Sequence, residues 1–219
     1  MSDIGTGLQD GGERVAELEA ALADARQRLL DVDHRIKNDL QLIASMFLLQ
    51  LRRLPPGTER EVVRGALERI NAVMAVHRRF DAAAPKQMTL DGLIRDVAQE
   101  ALGAAGRDDI RLSLTLEAVS VPSRQAAPIA LIVGELIRNA LRHPFPDRPG
   151  EVDIRLTARD GAVELSVRDN GDGLTDDFEP GCGFGTALVG LLAQQLRGAF
   201  EIAPAGPGVR AVVRFPESP

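Results

Sequence analysis

The sequence has no tryptophan and no tyrosine, and its 219 residues include one cysteine. Phe and His are therefore the only rings able to stack on bases, and with a net charge of −6 nucleic acid is an unfavourable partner. The single Cys182 excludes an intrachain disulfide and a multi-cysteine zinc site. The polar N-terminus carries no secretory signal, and the longest strongly apolar run, 129–133, is too short to cross a bilayer. These absences predict a cytoplasmic protein that neither spans a membrane nor binds nucleic acid.

The first 53 residues do contain a long helical pattern. A helix is expected from about Glu13 to Arg53, where the prolines at 55 and 56 end it. Its apolar residues recur at spacings of three and four, the heptad pattern of a coiled-coil seam. They are Val15, Leu18, Leu22, Ala25, Leu29, Val32, Ile36, Leu40, Ile43, Phe47 and Leu51. With Leu29 at position a and Val32 at position d, His34 occupies position f and should point away from the seam.

A second helix is expected to begin at Thr58, where Thr58 and Glu61 match a capping box, and to continue to about Ala82. We interpret His77, on its apolar face, as a packing residue. Two long amphipathic helices with a short connection form an antiparallel hairpin. Because a lone hairpin cannot bury both apolar stripes, two copies should pair as a four-helix bundle, which predicts a homodimer.

After a linker at 81–87 the pattern changes to short strands and further helices. The expected strands are 110–116, 151–158, 162–169, 199–203 and 209–215, with an RDGA turn joining the second to the third. The expected helices are 93–102, 124–143 and 186–196. Helices on one face of a mainly antiparallel sheet predict a two-layer α+β domain.

A polar stripe interrupts the buried helix IALIVGELIRNALRHPF. Glu135, Asn139 and His143 follow one another at spacings of four, with Arg138 and Arg142 beside them. Buried polar groups are costly unless satisfied, so this stripe indicates a ligand, a metal or a protein partner. The alternative is that the stripe is the solvent-facing side of the helix.

Two glycine-containing segments follow. In VRDNGDGL, a strand ends at Asp169, whose carboxylate can accept a hydrogen bond from an exocyclic amine, while Gly171 and Gly173 allow a planar base to approach the backbone. In GCGFGTALVGLL, Gly183 and Gly185 precede a helix whose free amides can hold phosphate. The alternatives are a simple Asn-Gly turn and a mobile glycine loop, and the second spacing matches neither a Walker A nor a Rossmann motif.

In this order, ELIRNALRH, DNGDG and GFGTALVGLL resemble the N, G1 and G2 boxes of the Bergerat-type ATP-binding domain of histidine kinases and related ATPases. HRIKNDLQLIASMFLLQ is similar to the phosphoacceptor motif of the second histidine-kinase dimerisation class. The resemblance covers roughly residues 20–215. It implies an α + α/β chain: a helical hairpin at 1–84, forming a four-helix bundle in the dimer, and a two-layer α/β sandwich at 85–219.

The resemblance also implies a function, an ATP-dependent autophosphorylating histidine kinase. His34 would accept the γ-phosphate of ATP, Asn38 would orient the phosphoryl group or a water, and the product would pass to an aspartate of a response regulator receiver domain. Glu135 and Asn139 would bind Mg2+, and Arg142 with His143 would face the phosphates. The adenine and lid positions would be Asp169, Gly171, Gly173, Gly183 and Gly185.

Several points stay open in the sequence. Arg35 follows His34 where many histidine kinases have a glutamate, so the general base is undecided between Asp33 and Asp31. A histidine phosphotransferase of the same architecture that does not use ATP, or a non-enzymatic dimeric scaffold, would share this layout. No sensor domain precedes the first helix, so the chain is expected to be a fragment or to take its input from an upstream sensor protein.

Overall fold

The computed structural model describes residues 4–79, 87–142, 145, 149–174 and 183–217, with the backbone alone at 4–13 and 142. The helices are α1 (Ile4–Arg53), α2 (Thr58–Arg78), α3 (Leu90–Ala105), α4 (Ser123–Arg142) and α5 (Phe184–Gln195). The strands are β1 (Gln87–Thr89), β2 (Ile110–Leu116), β3 (Ser120–Pro122), β4 (Gly150–Arg159), β5 (Ala162–Asp169), β6 (Ala199–Pro204) and β7 (Val209–Pro216). Within this described part, no helix combines the length and the apolarity that a membrane span requires.

The hairpin turn differs in detail from its prediction. α2 begins at Thr58 with Gly57 as its N-cap and without a side-chain capping bond, so the predicted capping box of Thr58 and Glu61 is wrong. The physical reason is that Thr58 is already helical. The turn is instead closed by Arg60, which donates from Nη1 to the carbonyls of Leu51 and Leu54 at 2.7 and 2.6 Å. Carbonyls at the end of α1 thereby gain the partners that the helix cannot supply.

α1 carries two apolar stripes where the sequence pattern predicted one. The side facing α2 is buried or half-buried and contains Leu30, Asp33, Lys37, Leu40, Ala44, Phe47 and Leu51. A second stripe stays exposed in the single chain and contains Val15, Leu18, Leu22, Leu29, Val32, Ile36 and Ile43. The predicted seam therefore combined residues of both stripes, because spacings of three and four are shared by neighbouring faces of a helix.

The second half is built on a five-stranded sheet of order β2-β4-β5-β7-β6. β2 pairs parallel with β4 and the other neighbours are antiparallel, so the mainly antiparallel sheet is confirmed with one parallel pair. Asp160 and Gly161, between β4 and β5, both have positive φ, as the predicted tight hairpin turn requires. β1 and β3 form a separate two-stranded sheet that was not predicted.

α4 and α5 pack on the sheet, and α3 packs on α4. The α/β half thus has two layers, and the predicted fold class is confirmed. The core also includes Ala72, Ala75 and Val76 of α2, so the hairpin shares apolar contacts with the α/β half. Residues 81–86 of the predicted linker lie outside the described residues, and its last residue, Gln87, is the first residue of β1. The domain boundary at 84 stays a prediction.

Candidate functional site

His34 lies on α1 with an exposed side chain, as its f position predicts. Asn38, four residues later, is exposed on the same face of the helix. Asp31 is also exposed, lies three residues before His34, and accepts a hydrogen bond from Gln27 Nε2 at 3.1 Å. An imidazole, an amide and a carboxylate therefore share one accessible side of α1.

Asp33 points the other way, into the hairpin. It is 5% exposed, and its two carboxylate oxygens contact different side chains. Oδ1 lies 2.7 Å from His77 Nδ1 of α2, and Oδ2 lies 2.5 Å from Lys37 Nζ. His77 does lie on the face of α2 toward α1, but it is a hydrogen-bond partner there, and its interpretation as a packing residue was incomplete.

The surroundings of Asp33 set its protonation. Burial alone would raise the pKa of its carboxyl, but the hydrogen bonds and charges of Lys37 and His77 outweigh burial and hold the pKa below its usual range. An ionised carboxylate only accepts, so His77 Nδ1 carries the shared proton. Because both oxygens are engaged on the side toward α2, Asp33 is a poor general base for His34, and Asp31 remains the candidate.

Asp169 ends strand β5 and faces the helical layer. Alternate residues of β5 point to the same face, and Val163, Leu165 and Val167 are all buried on it. Asp169 continues this row, opposite Val152 of β4, and is 6% exposed. The strand period thus places a carboxylate at the rim of the apolar core, and the predicted end of this strand at Asp169 is confirmed.

Backbone groups surround the Asp169 carboxylate. Its Oδ1 accepts from the amides of Gly171 at 2.9 Å and Val209 at 3.2 Å. Burial raises the pKa of Asp169, although these hydrogen bonds oppose the rise. Gly208, at φ 93°, lies so close that a Cβ there would overlap the Asp169 carbonyl, and Gly173 lies near the Gly208 carbonyl. A turn between β6 and β7 therefore forms one wall of this site.

The polar stripe of α4 forms a second cluster. Glu135 is 2% exposed, with Oε1 2.7 Å from Arg69 Nε of α2 and Oε2 paired with Arg138. Gly185 backs onto the same group, since a Cβ there would lie 2.6 Å from Glu135 Oε2 and 3.5 Å from Asn139 Oδ1. The predicted stripe of α4 is therefore not a solvent-facing surface at Glu135, and it meets the start of α5.

α5 begins beside this cluster. Gly183 is its N-cap, and Thr186 Oγ1 donates to the Gly183 carbonyl at 2.9 Å. The Phe184 ring is 71% exposed and is covered by the Arg69 guanidinium at 4.6 Å. Free amides at a helix N-terminus favour anions, so this end of α5 suits a phosphate.

The structure joins some predicted site residues and leaves others apart. Glu135, Asn139 and Gly185 form one cluster, and Asp169, Gly171 and Gly173 form another. His34 and Asn38 belong to α1, which packs on α2, and α2 in turn packs on α4. The described residues include neither His143 nor positions 175–182, where most of the lid predicted between Gly173 and Gly181 falls, and of Arg142 they include the backbone alone.

Three contributors to the site were missed in the sequence: Arg69, His77 and Gly208. Arg69 and His77 sit in regular helical patterns, where an arginine is usually a solvated charge and a histidine on an apolar face usually packs. Gly208 had a usable signal, because PAGPG between two strands indicates a turn whose glycines adopt positive φ.

Two family models match the two halves of this geometry. Residues 31–104 match a model described as histidine kinase, and residues 125–219 match one described as histidine kinase-, DNA gyrase B-, and HSP90-like ATPase. The chain belongs to the histidine kinases. The predicted dimerisation class and ATP-binding class are confirmed at the level of family.

Relatives of this histidine kinase chain are longer than it is. Blue-light-activated histidine kinase 2 of Erythrobacter litoralis is 28% identical over 224 residues, 98% of this chain and 62% of that protein. Sensor histidine kinase PdtaS of Mycobacterium tuberculosis is 26% identical over 92% of this chain and 42% of that protein. The solved histidine kinase domain of a blue-light-activated kinase from Erythrobacter litoralis has a TM-score of 0.66 and 26% identity, covering 90% of this chain and 94% of that one. The chain therefore spans less than two thirds of these curated relatives.

Proposed function

We propose that this histidine kinase chain transfers the γ-phosphoryl group of ATP to His34 and then to an aspartate of a response regulator receiver domain. The observation that carries the proposal is Asp169, a buried carboxylate at a strand end, held by two amides and covered by Gly208. Desolvating a carboxylate is costly. Neither an ATP-independent phosphotransferase nor a scaffold has a use for one at this position.

Nucleotide binding is assigned to the two clusters. Asp169 accepts a hydrogen bond from the exocyclic amine of adenine, and Gly171 and Gly173 line the base. The phosphates extend toward the N-terminus of α5, where the residues Gly183 and Gly185 have no side chains and leave the backbone amides accessible. Arg142 and His143 are proposed to contact the same phosphates from the end of α4.

Asn139 is the chain's own ligand for Mg2+. Among the described residues no three histidine, cysteine or acidic side chains cluster around a point, so a metal would depend on the nucleotide's phosphate oxygens. Mg2+ commonly binds through one or two protein oxygens together with phosphates, and the side-chain oxygen of Asn139 fits that role. Glu135 is proposed as the second oxygen donor, although both of its oxygens are paired with arginines here. When bound, the metal neutralises phosphate charge.

At the phosphoacceptor, a ring nitrogen of His34 forms the new bond to the γ-phosphorus. The bond from that phosphorus to the bridging oxygen breaks, and ADP leaves. Asn38, on the same face, orients the phosphoryl group, and Asp31 takes the imidazole proton. The exposed side of α1 then lets a receiver aspartate approach His34 in line.

The exposed stripe of α1 is assigned to a homodimer. Its large apolar side chains at 15–43 are between 37% and 70% exposed in the single chain, which is unusual for a helix that functions alone. A second hairpin would cover them as a four-helix bundle. The part of the stripe before His34 is the proposed route for input from an upstream sensor protein.

The deciding experiment is incubation of the purified chain with γ-labelled ATP and Mg2+. The wild type should acquire acid-labile, alkali-stable label, and His34→Gln and Asp169→Asn should both lose it. Asp24→Asn, which makes the same change as Asp169→Asn at an exposed position of α1, should keep the label and so serves as the matched control. Added receiver domain should then remove the label from the wild type.

The other results discriminate the alternatives. A chain that binds no ATP but is labelled by a phosphorylated receiver would be an ATP-independent phosphotransferase. A folded chain labelled by neither route would be a scaffold. Label that persists in His34→Gln would place the phosphoacceptor elsewhere.

A further inference from the structure

Arg69 extends from the hairpin into the ATPase-like half and contacts two of its segments. Its Nε lies 2.7 Å from Oε1 of Glu135 on α4, and its guanidinium covers the ring of Phe184 at the start of α5. Glu135 is a proposed metal ligand, and Phe184 is the first residue of α5, whose N-terminus is the proposed phosphate position. One side chain of α2 therefore reaches both the metal position and the phosphate end of the proposed nucleotide site.

At this contact the carboxylate of Glu135 is paired with the guanidinium groups of Arg69 and Arg138. Burial lowers the pKa of Arg69, and the neighbouring charge of Glu68 opposes that shift. Glu135 is almost fully buried between Arg69 and Arg138, so neither of its oxygens is available to a metal in this arrangement. A buried carboxylate without a counter-charge is strongly unfavourable. It is therefore easier for Glu135 to replace the Arg69 guanidinium by another cation than to remain buried without one.

We propose that Arg69 is a positioning residue of the nucleotide site, contributed by the hairpin, and that it competes with magnesium for Glu135. The inference rests on the proposed function, because it takes MgATP as the ligand. Glu135 is held by Arg69 when the site is empty and turns to the metal when MgATP binds. Because coupling between two binding events is reciprocal, docking of α2 on α4 and binding of MgATP oppose each other.

The surroundings of Arg69 allow this exchange. A cavity of about 240 Å³ lies between α2, α3 and α4, and the Arg69–Glu135 pair lines it, so packing there is incomplete. The C-terminal end of α2 is attached separately, by Arg78 to Glu100 at 2.8 Å and by Arg79 to Asp96 at 2.7 Å. These ion pairs do not involve α4, and they keep the hairpin attached when Arg69 leaves Glu135.

The test is calorimetric titration of the full chain with ATP, once with Mg2+ and once with EDTA. Arg69→Gln should tighten ATP binding roughly five- to tenfold in Mg2+, the range of a modest coupling energy, and should leave binding in EDTA unchanged. Arg78→Gln removes another ion pair between the hairpin and the second half and should change neither titration. Circular dichroism melting verifies that each variant is folded.

A double variant isolates the carboxylate. In a Glu135→Gln background the competition no longer exists, so adding Arg69→Gln should no longer tighten binding in Mg2+. Tightening that persists in this background would show that Arg69 acts on the nucleotide by another route, which overturns the inference.

The remaining outcomes separate the inference from the proposed function. Weaker binding by Arg69→Gln in Mg2+ would make Arg69 a supporting residue, and equal tightening in Mg2+ and EDTA would mean that it excludes the nucleotide itself. Either result overturns competition for the metal while ATP binding stands. A folded wild type that binds no ATP in either buffer overturns the proposed function, and the inference with it.

Discussion

Asp33 is a charged residue that the fold treats as part of an interior. It lies on α1 between solvent-facing neighbours, yet its carboxylate is buried against α2 and paired with Lys37 and His77. The pair connects the two helices one residue away from His34. The Asp33–His77 contact holds one side of α1 against α2, while the side that bears His34, the proposed phosphoacceptor, is exposed.

The lowered pKa of Asp33 gives a pH-dependent prediction. A carboxyl whose pKa is lower in the folded state than its unfolded value of about 3.9 stabilises the fold above that value, and the stabilisation is lost as the pH falls through the folded value. Asp33→Asn should therefore lower the free energy of unfolding by about 2 kcal/mol at neutral pH. In urea denaturation, the difference from the wild type should narrow below about pH 4.

Asp24→Asn is the matched control for Asp33. Asp24 pairs with Arg28 at 2.8 Å on the same helix, but both side chains are mostly exposed, so little stability should be lost. An equal loss in the two variants, or a loss in Asp33→Asn that does not vary with pH, would contradict the role given to the buried pair.

Among the elements, α1 has two apolar stripes with different surroundings. One stripe packs on α2, and the other, which includes Val32 and Ile36, is exposed in the single chain. Val32→Glu together with Ile36→Glu should convert the proposed dimer to monomers, because each protomer loses two apolar side chains whose burial is worth about 1.5 to 3 kcal/mol apiece. Light scattering after size exclusion measures the mass, and helix content should be retained.

Gln41→Glu adds one glutamate at an exposed position one heptad after His34, outside the stripe, and should stay dimeric. A wild type that is monomeric at every concentration would refute the assignment of the stripe to a homodimer. Loss of the dimer in Gln41→Glu as well would mean that charge, and not the stripe, determines association.

At the scale of the whole molecule, α2 is part of both the helical hairpin and the core of the ATPase-like half. One face packs on α1, and another contributes Ala72 and Ala75 to the core of the ATPase-like half. Small residues allow this close approach, since a Cβ at Gly134 of α4 would lie 3.7 Å from the Ala72 Cβ. A movement of α2 would therefore displace α4, the helix that carries Glu135 and Asn139.

Ala75→Leu tests this shared core, because Ala75 is fully buried. Overfilling a packed contact costs about 1 to 3 kcal/mol, so the free energy of unfolding should fall by that amount in chemical denaturation. Ala20→Leu makes the same change at an exposed position of α1 and should be nearly neutral. A stable Ala75→Leu variant would show that α2 separates easily from the core of the second half.

Local periodicity decided what could be predicted of the elements. The alternation of β5 places residues 163, 165, 167 and 169 on one face, and the all-round apolar composition of 126–133 requires burial. Those patterns need no knowledge of distant partners. The motif order then gave the family, and the exposure of His34 followed from its heptad position.

The sequence by itself determined the helices, the five strands of the main sheet with the strand end at Asp169, and the family. Three contacts were decided by the tertiary structure alone. Asp33 pairs with His77, 44 residues away, and the amide of Val209 donates to Asp169 across 40 residues. Arg69 forms an ion pair with Glu135. Each of these contacts joins one side chain to a group far along the chain. Such contacts repeat with no period, and only the packing of the helices and strands brings their atoms within bonding distance.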